Sequence, residues 1–166
     1  MAKREILKYP HKLLKKVSAP ITEIDGEVQT LIDDMLDTLN QDVIGVGLAA
    51  PQVGINSRVI VIDGKVVTKT YSEIVVINPV IMYSEGEMES YEGCLSIPEF
   101  FSTINRFARI FVKGLDRDGK EIEFEASGHL CRVFQHEIDH LDGILFVDRL
   151  TDDQLKIFKK TYRKKR

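Results

Sequence analysis

Long apolar runs are missing from these 166 residues. None approaches the roughly 20 residues needed to cross a bilayer, and MAKREILKYPHKLLKK carries charges where a signal peptide has an uninterrupted apolar core. Secretion and membrane insertion are therefore not expected. Cysteine is scarce too, and without an export signal Cys94 and Cys131 read as reduced thiols, each to be explained as core, ligand or nucleophile. Internal repeats, low-complexity tracts and Pro/Ser-rich linkers are absent, so a single domain over 1–166 in the cytoplasm is the expectation. A chain of this length can bury roughly 70% of its unfolded surface and needs no metal merely to stay folded. A metal would therefore signal function.

What is present is unevenly distributed. Residues 1–16 carry six Lys/Arg against one Glu and residues 156–166 carry seven against none, which leaves ten against 25 acids between them. The net charge of −3 thus combines ends at +12 with a body at −15. So acidic a body does not bind DNA across its surface, although either basic end can meet a polyanion.

Periodicity places the elements. Val28, Leu31, Ile32, Met35, Leu36 and Leu39 recur at helical spacing behind Asp25 and predict an amphipathic helix over 26–40. The loop GVGLAAPQVG at 45–54 follows. Residues 58–63, 73–79 and 80–84 are β-branched and predict three strands. A DRDG turn at 116–119 joins two more in an antiparallel hairpin. From Ser127 the apolar period lengthens again, through Leu130, Val133, Phe134, Ile138 and Leu141, to a stop at Asp142-Gly143. A capping box at Thr151 opens a last helix that runs into the basic end. The pattern predicts an α+β fold, with antiparallel strands packed around a central helix and further helices at the N- and C-terminal ends.

That central helix carries His136-Glu137-Ile138-Asp139-His140, an H-E-x-x-H pattern. Spacing of four sets both imidazoles one turn apart on one face, able to hold one ion, with Glu137 beside them to exchange a proton with water. A catalytic ion needs a third protein ligand. No Glu follows Glu137, and the longer H-E-x-x-H-x-x-G-x-x-H extension ends on Phe146 rather than His. The ligand must lie upstream. His129 is seven residues, about 10 Å of helix rise, from His136. Cys131 points to another face and reads as a buried thiol, and His11 as a surface histidine. Cys94 remains, next to a glycine that would let the backbone approach a metal and its substrate.

GVGLAAPQ at 45–52, Glu92-Gly93-Cys94-Leu95-Ser96 and Gln135-His136-Glu137-Ile138-Asp139-His140 together resemble the three signature motifs of the peptide deformylases, in the same order. The likeness extends over nearly the whole chain. It implies a bacterial-type enzyme that removes the formyl group from N-formylmethionyl polypeptides. It also implies a Cys94/His136/His140 site that uses Fe(II) in the cell and accepts zinc, nickel or cobalt. On the same likeness Glu137 is the acid/base, and Gln52 and the backbone N–H of Leu95 stabilise an oxyanion. Two uncharged donors can do this without neutralising Glu137. Glu92 and Arg106 match an ion pair behind the metal. From the sequence alone, a surface pair of little energetic value is the expectation for those two.

Ile44, Gly45, Gly47, Glu92, Arg132 and Val133, in and beside the motifs, are expected to line the substrate pocket, with Leu130 nearby. An unbranched apolar first side chain such as Met should suit it. Asn105 stands where many relatives have Pro, and His129 and Arg132 where relatives are often apolar, which bears on the shape and polarity of that pocket. Two rivals share the H-E-x-x-H helix: a peptidase that cuts internal bonds, and a non-catalytic domain with a structural zinc. The enzyme is expected to be a monomer, and the basic end 156–166 is a candidate contact for ribosomal RNA near the emerging substrate.

Overall fold

Four consecutive buried residues, Val59, Ile60, Val61 and Ile62, mark the strand on which the molecule is built. The computed structural model describes residues 2–41 and 45–165, with the backbone alone for 163–165. Helix α1 (Gly26–Asn40) leads to β1 (Gly47–Ala49), β2 (Val59–Asp63), a single helical turn α2 (Gly64–Val67) and β3 (Glu73–Glu85). Then come β4 (Met88–Cys94), β5 (Ile97–Arg106), β6 (Arg109–Leu115), β7 (Glu121–Ser127), α3 (Gly128–Leu141) and α4 (Asp152–Lys165). Five strands form one antiparallel sheet in the order β1-β2-β3-β6-β7, while β4 and β5 form a separate hairpin.

Strand β2 lies inside that sheet with both faces covered, which is why its sequence is apolar without alternation. Ile60 and Ile62 pack with Val133, Phe134 and Ile138 of α3. Val59 and Val61 pack with Leu31, Ile32, Met35 and Leu39 of α1. Each such buried side chain contributes roughly 1.5–3 kcal/mol, so the two helices are held on opposite faces of the sheet. A third core joins the β4–β5 hairpin to the two ends of the described chain: Leu14, Ile97, Phe100, Ile104, Phe146 and Phe158 are all buried together.

Local signals agree with the sequence reading at the starts of α1 and α4. Asp25 caps α1 by accepting from the Val28 N–H at 3.0 Å. At α4, Thr151 N–H donates to Gln154 Oε1 at 2.9 Å and Gln154 N–H to Thr151 Oγ1 at 3.3 Å, the reciprocal pair of a capping box.

The strands differ in three places. Within the loop expected at 45–54, Gly47–Ala49 forms β1, paired antiparallel with Ile60–Ile62 of β2. Residues 73–84 form one strand, β3, rather than two. The chain passes Pro79 through a bulge between Ile77 and Val80, where Asn78 takes a φ of 52°. The Asn78 amide makes that left-handed turn tolerable by bonding both Ile21 N–H and Ile21 carbonyl, at 2.9 and 2.8 Å. The β4–β5 hairpin was not expected at all, and it carries Cys94.

Candidate metal-dependent active site

Burial of Cys131, Phe134, Ile138 and Leu141 in the core sets the rotation of α3 about its axis. His136 and His140 are thereby presented to the end of β4, where Cys94 Sγ lies 3.4 Å from His140 Nε2. The donor atoms of Cys94, His136 and His140 all fall within 4.8 Å of one another. One thiolate and two imidazoles at that separation suit a single transition-metal ion. His136 Nδ1 is already engaged by Glu92 Oε1 at 2.9 Å, which leaves Nε2 as its donor. Burial, with the neighbouring His136, holds the His140 imidazole well below its ordinary pKa and so in the neutral form that can ligate.

Glu92 and Arg106 are each only 5% exposed, so the expected surface pair is a buried one. Arg106 Nε and Nη2 fork onto the two Glu92 oxygens, both at 2.8 Å. Burial pushes the Glu92 carboxyl up, but the hydrogen bonds from Arg106 and His136 outweigh it and hold the group well below the usual carboxylate range. Ser90 Oγ adds a further bond to Glu92 at 2.7 Å. The pair is hidden because the Met88↔Arg106 register of the hairpin brings both side chains against α3.

Glu137, next to the first histidine, is buried, and its Oε1 meets no hydrogen-bond partner among the described residues. Burial pushes its carboxyl up to about 7, where a group can both take and return a proton near neutral pH. Gln52 is fixed from both ends of its amide. Oε1 accepts from Ala49 N–H at 2.9 Å, and Nε2 donates to Ser96 Oγ at 3.1 Å while lying 3.7 Å from Cys94 Sγ. The donor face of the amide is thus turned toward the thiol.

A cleft of about 450 Å³ opens over these groups. It is lined by Gly45, Gly47, Glu92, Arg132 and Val133 of the expected pocket, together with Gln52, Cys94, Leu95, His136 and Glu137. Ile44 lies outside the described residues. Leu130 packs against the core of α3 and is not among the residues lining the cleft. His129 lines the cleft but does not belong to the group of three donors, as its distance along the helix requires. Cys131 is fully buried and His11 exposed, both as expected.

Several lining residues had no sequence signal. Tyr91 and Phe101 stack with ring centroids 6.0 Å apart, across a hairpin that was not foreseen. Gly93 leaves room for that stack, since a Cβ there would stand 2.4 Å from the Phe101 ring.

A family model described as polypeptide deformylase matches residues 3–156. The chain belongs to this family. The peptide deformylase of Thermodesulfovibrio yellowstonii is 51% identical over 166 residues, which is the whole of both chains. That of Syntrophobacter fumaroxidans is 45% identical over 99% of this chain and 96% of its own. Among solved structures, a peptide deformylase from Legionella pneumophila superposes with a TM-score of 0.90 at 43% identity, covering 98% of this chain and 95% of that one. Membership in a metal-dependent family agrees with the donor set: soft Cys94 with neutral His140, and a carboxylate, Glu137, left beside them rather than among them.

Proposed function

We propose that the cleft hydrolyses the formyl amide at the amino terminus of nascent polypeptides, with Cys94, His136 and His140 as the metal ligands, Glu137 as the acid/base, and Gln52 with the Leu95 N–H as oxyanion donors. The observation that carries this reading is the meeting of Cys94 Sγ with the two H-E-x-x-H imidazoles beside a buried, unpartnered Glu137 oxygen. A metal held there supplies a Lewis acid that makes water a better nucleophile near neutral pH. Fe(II) is the proposed ion in the cell, with Zn(II), Ni(II) and Co(II) able to take its place, since a mixed thiolate and imidazole set accepts all four.

Glu137 takes a proton from the attacking water as a C–O bond forms at the formyl carbon. The charge that develops on the formyl oxygen falls to Gln52 Nε2, whose direction is fixed by Ala49 and Ser96, and to the Leu95 N–H. Glu137 then returns the proton to the amine nitrogen as the C–N bond breaks, releasing formate and a free amino terminus. Gly45 and Gly47 give the peptide close access to the site. Val133 and Leu95 offer the first side chain an apolar wall, favouring Met. Arg132 rims that wall with its Nη1 tied to the Tyr91 carbonyl at 2.8 Å. Glu92 is a pocket residue by position whose carboxylate acts through His136.

Formate release from a formyl-Met peptide, measured with the metal content per chain, tests the reading. Turnover of the formyl peptide with none of an acetyl-Met peptide is expected. Cleavage within the peptide would support an internal peptidase instead. Formyl-Met should also be preferred over formyl-Asp, and equal specificity constants would remove the apolar-wall argument. The proposal extends to a monomeric, cytoplasmic enzyme of one domain that meets ribosomal RNA through its basic helix α4, where Lys156, Lys159 and Lys160 are exposed.

A further inference from the structure

The short turn after α3, Phe146–Arg149, touches the first histidine in two ways. The Phe146 ring lies along the His136 imidazole, with centroids 6.2 Å apart and planes 26° from parallel. Arg149 reaches the same imidazole at its edge through a file of alternating charges. Its Nε and Nη2 fork onto Asp139 at 2.7 and 2.8 Å. Asp139 Oδ2 accepts from Arg106 Nη1 at 2.5 Å, Arg106 forks onto Glu92, and Glu92 Oε1 meets His136 Nδ1. The file starts at a partly exposed side chain and ends on the nitrogen that sets the direction of the imidazole.

We infer that Arg149 is a positioning residue for the metal centre, holding His136 in its ligating orientation through Asp139, Arg106 and Glu92. Arg106 is shared between two carboxylates. While Arg149 neutralises Asp139, Arg106 can keep its fork on Glu92; with Arg149 gone, Asp139 competes for Arg106 and the grip on Glu92 loosens. His136 then samples orientations in which its Nε2 no longer converges with Cys94 and His140. Changes to groups that orient a ligand typically weaken metal binding by about 10- to 100-fold, and a group three steps removed belongs at the lower end.

This inference rests on the ligand set proposed above, and Co(II) serves as the probe. Titration of the metal-free chain with Co(II), followed by its visible and thiolate charge-transfer bands, is expected to show about tenfold weaker binding in Arg149→Ala. Arg149→Lys, which restores the charge without the fork, should recover part of the loss. Lys15→Ala is the control, because the Lys15–Asp148 ion pair braces the same turn without joining the file. It should bind Co(II) as the parent does, whatever its effect on Tm. Parental affinity and spectrum in Arg149→Ala, or an equal loss in Lys15→Ala, would overturn the role given to Arg149. Undiminished Co(II) binding by Cys94→Ala would overturn the ligand set itself.

Discussion

Gly47 approaches Glu137 so closely that a Cβ built on the glycine would stand 2.7 Å from Oε2 and 2.9 Å from Cγ. Strand β1 therefore acts as a wall against which the acid/base is set. Gly47→Ala has to displace that carboxylate, and a misplacement on the order of 1 Å can cost about a hundredfold in rate. Formate release should fall by between about ten- and a hundredfold, with metal content near that of the parent. Unchanged turnover would show that Glu137 does not depend on this wall.

Glu137 and Cys94 should separate proton transfer from metal binding. Glu137→Ala is expected to keep close to full metal occupancy while turnover drops about a hundredfold or more. Cys94→Ala removes one of three protein ligands and should lose metal and activity together. Metal per chain, assayed beside formate release, distinguishes the two. Metal loss in Glu137→Ala would contradict the roles assigned.

Acid should undo the Glu92–Arg106 pair. The Glu92 carboxyl titrates well below its ordinary range in the folded chain, so its contribution is complete above the unfolded pKa of about 4.3 and is lost as the pH falls further. Glu92→Gln forfeits that contribution at every pH and leaves Arg106 with Asp139 alone. A destabilisation of about 3 kcal/mol at pH 7 is expected, with a smaller gap between parent and variant at pH 3. Thermal unfolding at the two pH values checks this, and a constant gap would show that Glu92 is not the group being titrated.

Deleting residues 156–166 would be a poor test of the basic end, because Phe158 is 1% exposed and packs with Tyr9 and Phe100. Reversing charge at the exposed positions, with Lys156→Glu, Lys159→Glu and Lys160→Glu together, leaves that core in place. Ribosome binding should weaken in a salt-dependent manner while turnover of short formyl peptides stays within about twofold. Equal ribosome affinity at low salt would remove the proposed contact.

The helix of the site was legible because its evidence is local: four-residue spacing of His136 and His140, and an apolar face repeating along the same turns. Cys94 was reached by elimination among few donors, and the structure brings its Sγ beside the two imidazoles. The burial of Glu92 and Arg106 was not legible. Their fourteen-residue separation means little until the β4–β5 register brings them together against α3. Asp139 stands at an unspecified position of H-E-x-x-H, yet it bonds two arginines, one from β5 and one from beyond the helix. Pro79 looked like the end of a strand because its missing N–H breaks a ladder, yet a bulge supported by Asn78 absorbs it.

The third core has a consequence in time. Leu14, the hairpin that carries Cys94, and Phe158 bury one another, so the earliest and latest parts of the described chain close around the thiol together. During synthesis the hairpin has no complete floor to rest on until residue 158 has been added and packed.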